Sequence, residues 1–133
     1  MTLRRFELKT RAKEGFYPIT ELVRAAVAQS QIQSGLAVVY CPHTTAGLTI
    51  NENADPTVPQ DLILGLEAAL PDHQGFRHLE GNSQAHLKAL VLGSSLQIIV
   101  AEGQLLLGTW QGIFFGEFDG PRNRNFYVKI LAG

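Results

Sequence analysis

The stretch Gly35–Asn51, GLAVVYCPHTTAGLTIN, decides the fold. Its first part, Gly35–Cys41, is strongly apolar and predicts a buried strand that ends at Pro42. Its last part, Thr45–Asn51, is bounded by polar residues and predicts a second strand. His43 and Thr44 lie between these strands and Thr45 begins the second, so polar groups interrupt two otherwise apolar elements.

Three segments outside this stretch have the apolar spacing of helices. The first begins at Thr20, the second opens at Asp55–Pro59, and the third begins at Asn82 or Ser83 and stops at Gly93. Prolines are tolerated in a first helical turn because its N–H groups have no intrahelical partners. The residues predicted to face the core are Leu22, Val23, Ala26 and Val27 in the first helix, Leu62, Ile63, Leu66 and Leu70 in the second, and Leu87, Leu90 and Val91 in the third.

The ends of the chain are rich in strand patterns. Thr2–Thr10 alternates apolar and polar side chains and predicts a half-buried strand. Leu96–Ala101, Leu105–Phe118 and Phe126–Leu131 are separated by Gly-containing turns and predict an antiparallel meander. Three helices among six or seven strands indicate an α+β fold, with residues 1–133 forming one domain.

Composition narrows the classes of function. Eleven Lys and Arg against twelve Asp and Glu give a net charge of −1, which does not favour nucleic-acid binding. We expect no membrane span and no signal peptide, and the single cysteine excludes an internal disulfide, so a cytoplasmic location is expected. The charged fraction of 17% is below the typical ~25%, which indicates either a surface covered by another subunit or a slightly apolar monomer.

The segment Cys41–Asp55 is the first candidate site. His43 follows a strand end, where side chains that face ligands are common. Polar groups buried here without partners would cost ~1–3 kcal/mol each, so they need hydrogen bonds or a ligand. The alternative is a hairpin connection that carries hydrogen-bonding residues. Cys41 itself is expected to be a small buried residue and not a nucleophile.

Histidines supply a second candidate. His78 is predicted to lie in a loop and His86 in the first turns of the third helix. Neutral imidazole is a common metal ligand, and three such groups leave a coordination position open, so His43, His78 and His86 form a candidate three-histidine metal site. The spacing matches no standard zinc motif, and the alternative is three surface or hydrogen-bonded histidines. His73 is predicted to be an exposed turn residue.

Charged residues elsewhere complete the candidates. Glu52, Asp61 and Glu117 are compared as general bases, and Glu52 is preferred because it follows the strand that begins beside His43. Arg122 suits a phosphate or carboxylate because its planar fork can bind two oxygens. Most of Gly108–Arg122, which has a glycine at every fourth position from 108 to 116, is also typical of a bent strand that packs against a neighbouring subunit.

Three ordered segments resemble signatures of the YjbQ family. The first is His43–Ala46 with Asn51–Pro56 and Asp61, and the second is Glu80–Lys88 followed by Gly93–Ser95. The third contains Gly103, Leu107–Ile113 with the distinctive GTWQGI, and Glu117. The resemblance runs from about residue 2 to the end of the chain.

The resemblance implies a small α+β domain with a mostly antiparallel, β-sandwich-like core and about three helices, usually assembled as a homotrimer. It implies a secondary thiamine phosphate synthase activity, in which an activated hydroxymethylpyrimidine is joined to thiazole phosphate. It also implies a polar cleft lined by His43, His78 and His86 that holds a divalent metal, with zinc as one candidate.

Two functions follow as hypotheses. In the enzyme hypothesis Glu52 moves a proton beside the metal, with Asp61 and Glu117 as other catalytic candidates, and a phosphorylated metabolite is bound. In the second hypothesis the same groups capture a small metabolite or anion at a subunit boundary without turnover. The residues expected to contact the ligand are Thr44, Thr45, Asn51, Gly81, Asn82 and Arg122.

Overall fold

The computed structural model describes residues 3–133, and Thr2, which the sequence assigns to the first strand, lies outside them. Eight strands and three helices follow one another along this described part of the chain. They are β1 (Leu3–Lys9), β2 (Gly15–Pro18), α1 (Thr20–Ser30), β3 (Gly35–Tyr40), β4 (Ala46–Glu52), α2 (Thr57–Ala69), α3 (Ser83–Leu92), β5 (Ser95–Ala101), β6 (Gln104–Leu105), β7 (Gln111–Glu117) and β8 (Asn123–Ala132).

The strands form two antiparallel sheets. One has the order β1-β8-β3-β5-β6 and the other the order β2-β7-β4. Apolar side chains from both sheets and from α1 share one core, as burying the apolar face of each sheet requires. This arrangement confirms the predicted α+β fold with a sandwich-like core and three helices. The central members of the core are Val23, Val27, Ala37, Val39, Leu48, Ile113, Phe115, Phe126 and Val128.

The predicted meander is wrong. Leu105–Phe118 is not one strand, because β6 ends at Leu105 and β7 begins at Gln111 in the other sheet. β8 then returns to the first sheet, where it lies between β1 and β3. Alternating apolar residues have the same period in either sheet, so the pattern carries no sign that the chain crosses between them.

The predicted inward face of α3 is also wrong in part. Leu90 and Val91 are 75% and 58% exposed, whereas Ala85, Lys88 and Ala89 are buried. The small side chains of the alanines allow the helix to approach the second sheet closely. Close contact between backbones therefore decides which face of α3 is buried, against the preference for burying the larger apolar residues.

Lys88 connects three parts of the chain. Its ammonium nitrogen contacts the Oε2 atom of Glu14, between β1 and β2, and lies 2.7 Å from the Oε1 atom of Glu67 on α2. Burial by itself would lower the pKa of Lys88, but the hydrogen bonds to both carboxylates outweigh burial and raise it. Among the described residues, α2 contributes no fully buried side chain, and it is attached by this charged contact together with Leu66, which packs against Ala85, Ala89 and Phe118.

Within residues 3–133, no helix is both long enough and apolar enough to cross a lipid bilayer.

The approach of α3 to β4 gives a test at Gly47. A Cβ atom added there would lie 2.8 Å from the carbonyl oxygen of Gly93 and 2.9 Å from the Cβ atom of Leu92. We expect Gly47→Ala to lower the free energy of unfolding by ~1–3 kcal/mol, as overpacking does, measured by urea denaturation. Gly65→Ala is the matched control, because a Cβ at that helical position meets open space. It should stabilise the protein by ~0.5–1 kcal/mol, and equal effects of the two changes would contradict the packing.

Candidate functional site

His43 occupies the position at which β3 leaves its neighbour β8. The β3–β8 ladder ends at the pair Tyr40–Tyr127, and the His43 side chain then reaches the main chain of Asn125 on β8. The Asn125 N–H donates to the Nε2 atom of His43 at 3.0 Å, and the half-buried ring packs edge-on against Phe115 with centroids 6.3 Å apart. Beyond the last β3–β8 backbone pair, the imidazole of His43 therefore makes the next hydrogen bond to β8.

A cleft of about 320 Å³ opens beside this ring. It lies between the β3–β4 connection, α3 and the turn that follows α3. Its volume is at the lower end of the range for small-molecule sites. The residues that line it are His43, Thr44, Ala46, His86, Ala89, Leu90, Gly93 and Ser94.

The three predicted metal ligands are brought together in pairs. His43 and His86 line the same cleft, and the rings of His78 and His86 have centroids 5.5 Å apart. His78 also lies 3.6 Å from the carboxylate of Glu80. Over residues 3–133, however, no three His, Cys, Asp or Glu side chains converge as a group that could hold a metal ion. A single chain therefore does not assemble the donors for a metal, and the three-histidine site stays a prediction.

A buried polar network lies behind His43. Glu117 is fully buried and forms an ion pair with Arg124, whose Nε atom donates to Glu117 Oε1 at 2.8 Å. The Nη2 atom of Arg124 also donates to the hydroxyl oxygen of Thr45 at 2.8 Å. The hydroxyl of Thr10 donates to Glu117 Oε1 at 2.8 Å. This network joins β7, β8, the end of β1 and the start of β4.

Glu117, one of the predicted general bases, is surrounded by donors. Burial alone would raise its pKa, but hydrogen bonds from Arg124, the Asp119 N–H and Thr10 outweigh burial and lower it. A general base must direct a lone pair at its substrate, whereas both Glu117 oxygens accept hydrogen bonds from protein groups. The geometry therefore indicates a structural role for Glu117.

The other two carboxylates lie away from the cleft within one chain. Ala46 lines the cleft at the start of β4, and Glu52 ends that strand about 20 Å further on, at the usual rise per residue. Asn51 is at the same far end, opposite Gly112 of β7. Asp61 is exposed on α2. The structure does not bring these three side chains to His43, and their predicted roles stay predictions.

Asp119 ties the predicted anion-binding residues together. The Nδ2 atom of Asn82 donates to Asp119 Oδ2 at 2.9 Å, and Arg122 donates from Nε to the Asp119 carbonyl at 2.8 Å and from Nη2 to Oδ2 at 3.1 Å. Asn82 precedes the first turn of α3, four residues before His86, so the two share one side of the helix. Gly81 has φ +72°, and its N–H donates to the carbonyl oxygen of His78.

The two threonines after His43 have different environments. Thr44 is exposed and lines the cleft, where its hydroxyl is available to a ligand. Thr45 is buried, and its hydroxyl accepts from Arg124. Ligand contact by Thr44 is compatible with this geometry, whereas Thr45 is engaged in the network.

Arg124 and Asn125 were not predicted as site residues, although the alternation of inward and outward residues along β8 indicated a buried position for Arg124. Arg124 has the same strand parity as Phe126, Val128 and Ile130, which all face the core. A charged residue on the inward side of a strand needs a buried partner of opposite charge. That requirement, combined with Glu117 on the inward side of β7, would have indicated the ion pair. The contact of Asn125 is made by its main chain and has no sequence signal.

The charge around His43 gives a pH test. Burial and then the positive charge of Arg124 lower its pKa, and Arg122 acts in the same direction. We expect the His43 ring in the folded protein to take up a proton at a lower pH than a histidine in an unfolded peptide, which does so at about 6.5. As pH falls below that value the unfolded chain gains a proton that the folded chain does not, so this group then lowers stability.

Proton and carbon NMR of the His43 ring against pH measures this difference, with an unfolded peptide spanning residues 40–46 as the reference. A pKa in the folded protein equal to or above that of the peptide would contradict the described environment.

Comparison with known sequences identifies the family to which the chain is similar. Residues 4–133 match the family described as UPF0047 protein YjbQ-like. The UPF0047 protein MJ1081 of Methanocaldococcus jannaschii is 53% identical over 128 residues, which cover 96% of this chain and 93% of that protein. The UPF0047 protein YugU of Bacillus subtilis is 48% identical over 131 residues, covering 98% of this chain and 99% of that protein.

Solved structures agree with the sequence matches. A crystal structure of a YjbQ/UPF0047 family protein from Clostridium acetobutylicum has a TM-score of 0.94 and 54% identity, covering 96% of this chain and 99% of that one. A YbjQ-like protein of unknown function from Sulfolobus solfataricus has a TM-score of 0.94 at 30% identity, covering 99% of this chain and 97% of that one. The chain therefore belongs to the YjbQ-like UPF0047 family.

Proposed function

We propose that the cleft between His43 and His86 binds a phosphorylated small molecule. The observation that carries the proposal is the joint placement of two histidines on one cleft with two arginines that act on His43. Arg124 is neutralised by its ion pair with Glu117, whereas Arg122 is half-exposed. Two histidines and two hydroxyl-bearing residues line the cleft, Arg122 lies near enough to act on His43, and the cleft volume suits a phosphorylated ring.

Two kinds of donor are assigned to an anion here. Arg122 uses Nε–H and one Nη2–H for Asp119, which leaves its other N–H groups for phosphate oxygens. A neutral His43 can add one ring N–H, and His86 faces the same space.

Thiamine phosphate synthase-type transfer is the finer activity that the family resemblance implies. In that reaction diphosphate leaves the activated pyrimidine, and donors must stabilise charge that develops on the leaving oxygens. We assign that task to Arg122, His43 and His86, and proton transfer by Glu52 would require the far end of β4 to come from another copy. Residues 3–133 of one chain do not gather three metal ligands, so no step here is assigned to a metal.

Binding without turnover is the second candidate. The observation that favours it is the placement of the three carboxylates, because Glu117 is saturated with hydrogen bonds while Glu52 and Asp61 lie outside the cleft. With no carboxylate beside the ligand, capture of an anion is the simplest chemistry that one chain can perform.

Arg122→Gln and His86→Ala test the cleft. We expect each to weaken binding of inorganic pyrophosphate about tenfold or more, because each removes a charged or polar donor from the anion. Isothermal titration calorimetry measures the change. His73→Ala is the matched control, since His73 is exposed outside the cleft. Unchanged affinity in both cleft variants would contradict the proposal.

The same proteins separate the two candidate functions. Purified wild type is assayed with the hydroxymethylpyrimidine diphosphate and thiazole phosphate, with and without added divalent metal. Turnover that His86→Ala abolishes supports the synthase, and pyrophosphate binding without turnover supports the binding protein. Metal content that His86→Ala lowers would restore the predicted metal site, and content that it leaves unchanged would remove it.

A homotrimer completes the proposal, and the outer face of the five-stranded sheet supports it. This outer face consists of the outward side chains of β1, β8, β3 and β5, which are apolar around Val38 and Tyr40 and charged at Arg5, Glu7 and Lys9 of β1. A shallow cavity of about 410 Å³ lies on it. Monomers rarely expose contiguous apolar patches of this kind. Its apolar members include Leu3, Leu36, Val38, Tyr40, Ile99, Tyr127 and Leu131.

The outer face reaches the cleft. Tyr40 and Ser95 pair at the end of β3 and β5, and the adjoining residues His43 and Ser94 line the cleft. A neighbouring copy on the outer face would therefore stand beside the bound ligand.

The cytoplasm remains the proposed location, since Cys41 is a buried thiol and the chain has no second cysteine with which to form an internal disulfide.

Val38→Asp tests the assembly. We expect wild type to have a mass of about three times 14.6 kDa by light scattering after size exclusion, and Val38→Asp to shift it toward the monomer. Ala25→Asp is the control, because Ala25 is exposed on α1, away from the outer face. A monomeric wild type would contradict the trimer, and a trimeric Val38→Asp would contradict this interface.

A further inference from the structure

One ring nitrogen of His43 is committed to the main chain of a single residue. Its Nε2 atom lies 3.0 Å from the Asn125 nitrogen and 3.1 Å from the Asn125 carbonyl oxygen, and both contacts have hydrogen-bond geometry. A ring nitrogen either accepts from the N–H or, when it carries a proton, donates to the carbonyl. Both neutral tautomers are therefore hydrogen-bonded at Nε2.

The second ring nitrogen is left for a ligand. Among residues 3–133, Nδ1 of His43 has no hydrogen-bond partner, and it is not among the side-chain atoms sealed from solvent without a partner. His43 contributes to the lining of the cleft. Nδ1 is therefore the ring nitrogen that the described protein groups leave unoccupied for a bound molecule.

The position of Asn125 is fixed from inside the protein. The preceding residue, Arg124, is anchored by Glu117 and Thr45. Two residues further back, the Arg122 N–H donates to the hydroxyl of Thr10 at 2.9 Å, and the Thr10 N–H donates to the Arg122 carbonyl at 3.0 Å. The main chain that contacts Nε2 is therefore anchored at Arg124 and at Arg122, which precede Asn125 along the chain.

We infer that the Asn125 main chain fixes the His43 ring so that Nδ1 presents an N–H to an oxyanion, and that Glu117 and Arg124 are positioning residues for this donor. With Nδ1–H, the Nε2 atom accepts from the Asn125 N–H. With Nε2–H, that proton goes to the Asn125 carbonyl, and Nδ1 has no proton to donate. The inference deepens the proposed function and rests on it for the identity of the anion.

The consequence is a tautomer that a bound anion selects on a ring that keeps its contacts. When Nε2 accepts from the main-chain N–H, the ring proton is on Nδ1, which is the arrangement that a neutral donor to phosphate needs. The tautomer in the bound state therefore reports whether His43 donates to the anion.

Two-bond nitrogen–proton NMR of the His43 ring tests this assignment. With inorganic pyrophosphate bound we expect the Nδ1–H tautomer, with the ligand-induced shift change at Nδ1. A ligand-induced shift confined to Nε2, or a doubly protonated ring with pyrophosphate, would overturn the inference.

The unliganded protein supplies a test that survives failure of the proposed function. Hydrogen exchange at the Asn125 amide should be slow in wild type and at least tenfold faster in His43→Ala, because its acceptor is gone. His86→Ala, the matched control, should leave Asn125 exchange unchanged. Equal exchange in wild type and His43→Ala would overturn the contact, whether or not pyrophosphate binds.

The positioning role is tested with Arg124→Lys and Glu117→Gln. We expect faster exchange at Asn125, a mixture of His43 tautomers with pyrophosphate, and about tenfold weaker binding of it. Val100→Ala is the control for a general loss of stability, because Val100 is buried at the end of β5 that pairs with Gly35, away from Tyr40. If Val100→Ala changes the tautomers equally, or the two network variants change nothing, the positioning role is refuted. If the network variants do not fold, the comparison of wild type with His43→Ala still decides the contact.

Discussion

The ion pair between Glu117 and Arg124 is the constraint on which the rest of this domain depends. It crosses from one sheet to the other at the end of the core, on the inward sides of β7 and β8. Two charges in such a place are tolerated only when each is fully hydrogen-bonded, and removing one partner typically costs ~3–5 kcal/mol. Thr10 and Thr45 supply the remaining contacts, so the ends of four strands must meet there.

The same pair governs the chemistry of the cleft. It holds the strand that meets His43, and burial together with the nearby guanidinium charge lowers the pKa of that imidazole. A protein with a net charge of −1 thus maintains a neutral histidine and a partly exposed arginine near one small cleft. Local arrangement, and not total charge, creates the environment for an anion.

Sequence patterns predicted the parts of this molecule that depend on repetition. The alternation in β1 and the apolar run of β3 specified their strands, and the α+β class followed from the elements. The crossing between β6 and β7 was missed because strands of the two sheets have the same period. The buried face of α3 was missed because Gly47 allows small alanines to approach the sheet, and hydrophobicity alone favours Leu90.

The candidate site could be predicted only in part for a related reason. His43 and His86 were singled out by residue type and share a cleft, but Glu52 was linked to His43 by chain proximity. A strand carries its two ends apart, so nearness along the chain becomes distance in space. Contacts made by main-chain atoms, such as that of Asn125, leave no trace in residue identity. The ion pair between Glu117 and Arg124 could have been predicted, because both residues fall on the inward side of their strands.

The buried ammonium of Lys88 has a consequence for the attachment of helix α2. Helix α2 is attached partly by the half-exposed Glu67 carboxylate on Lys88 and partly by Leu66, which packs against an apolar cluster, whereas α1 is sealed into the core by its valines. Exposed ion pairs weaken as dissolved ions accumulate, and apolar contacts do not. Part of the attachment of α2 therefore depends on ionic strength, and the lysine that provides it lies on the same helix as His86.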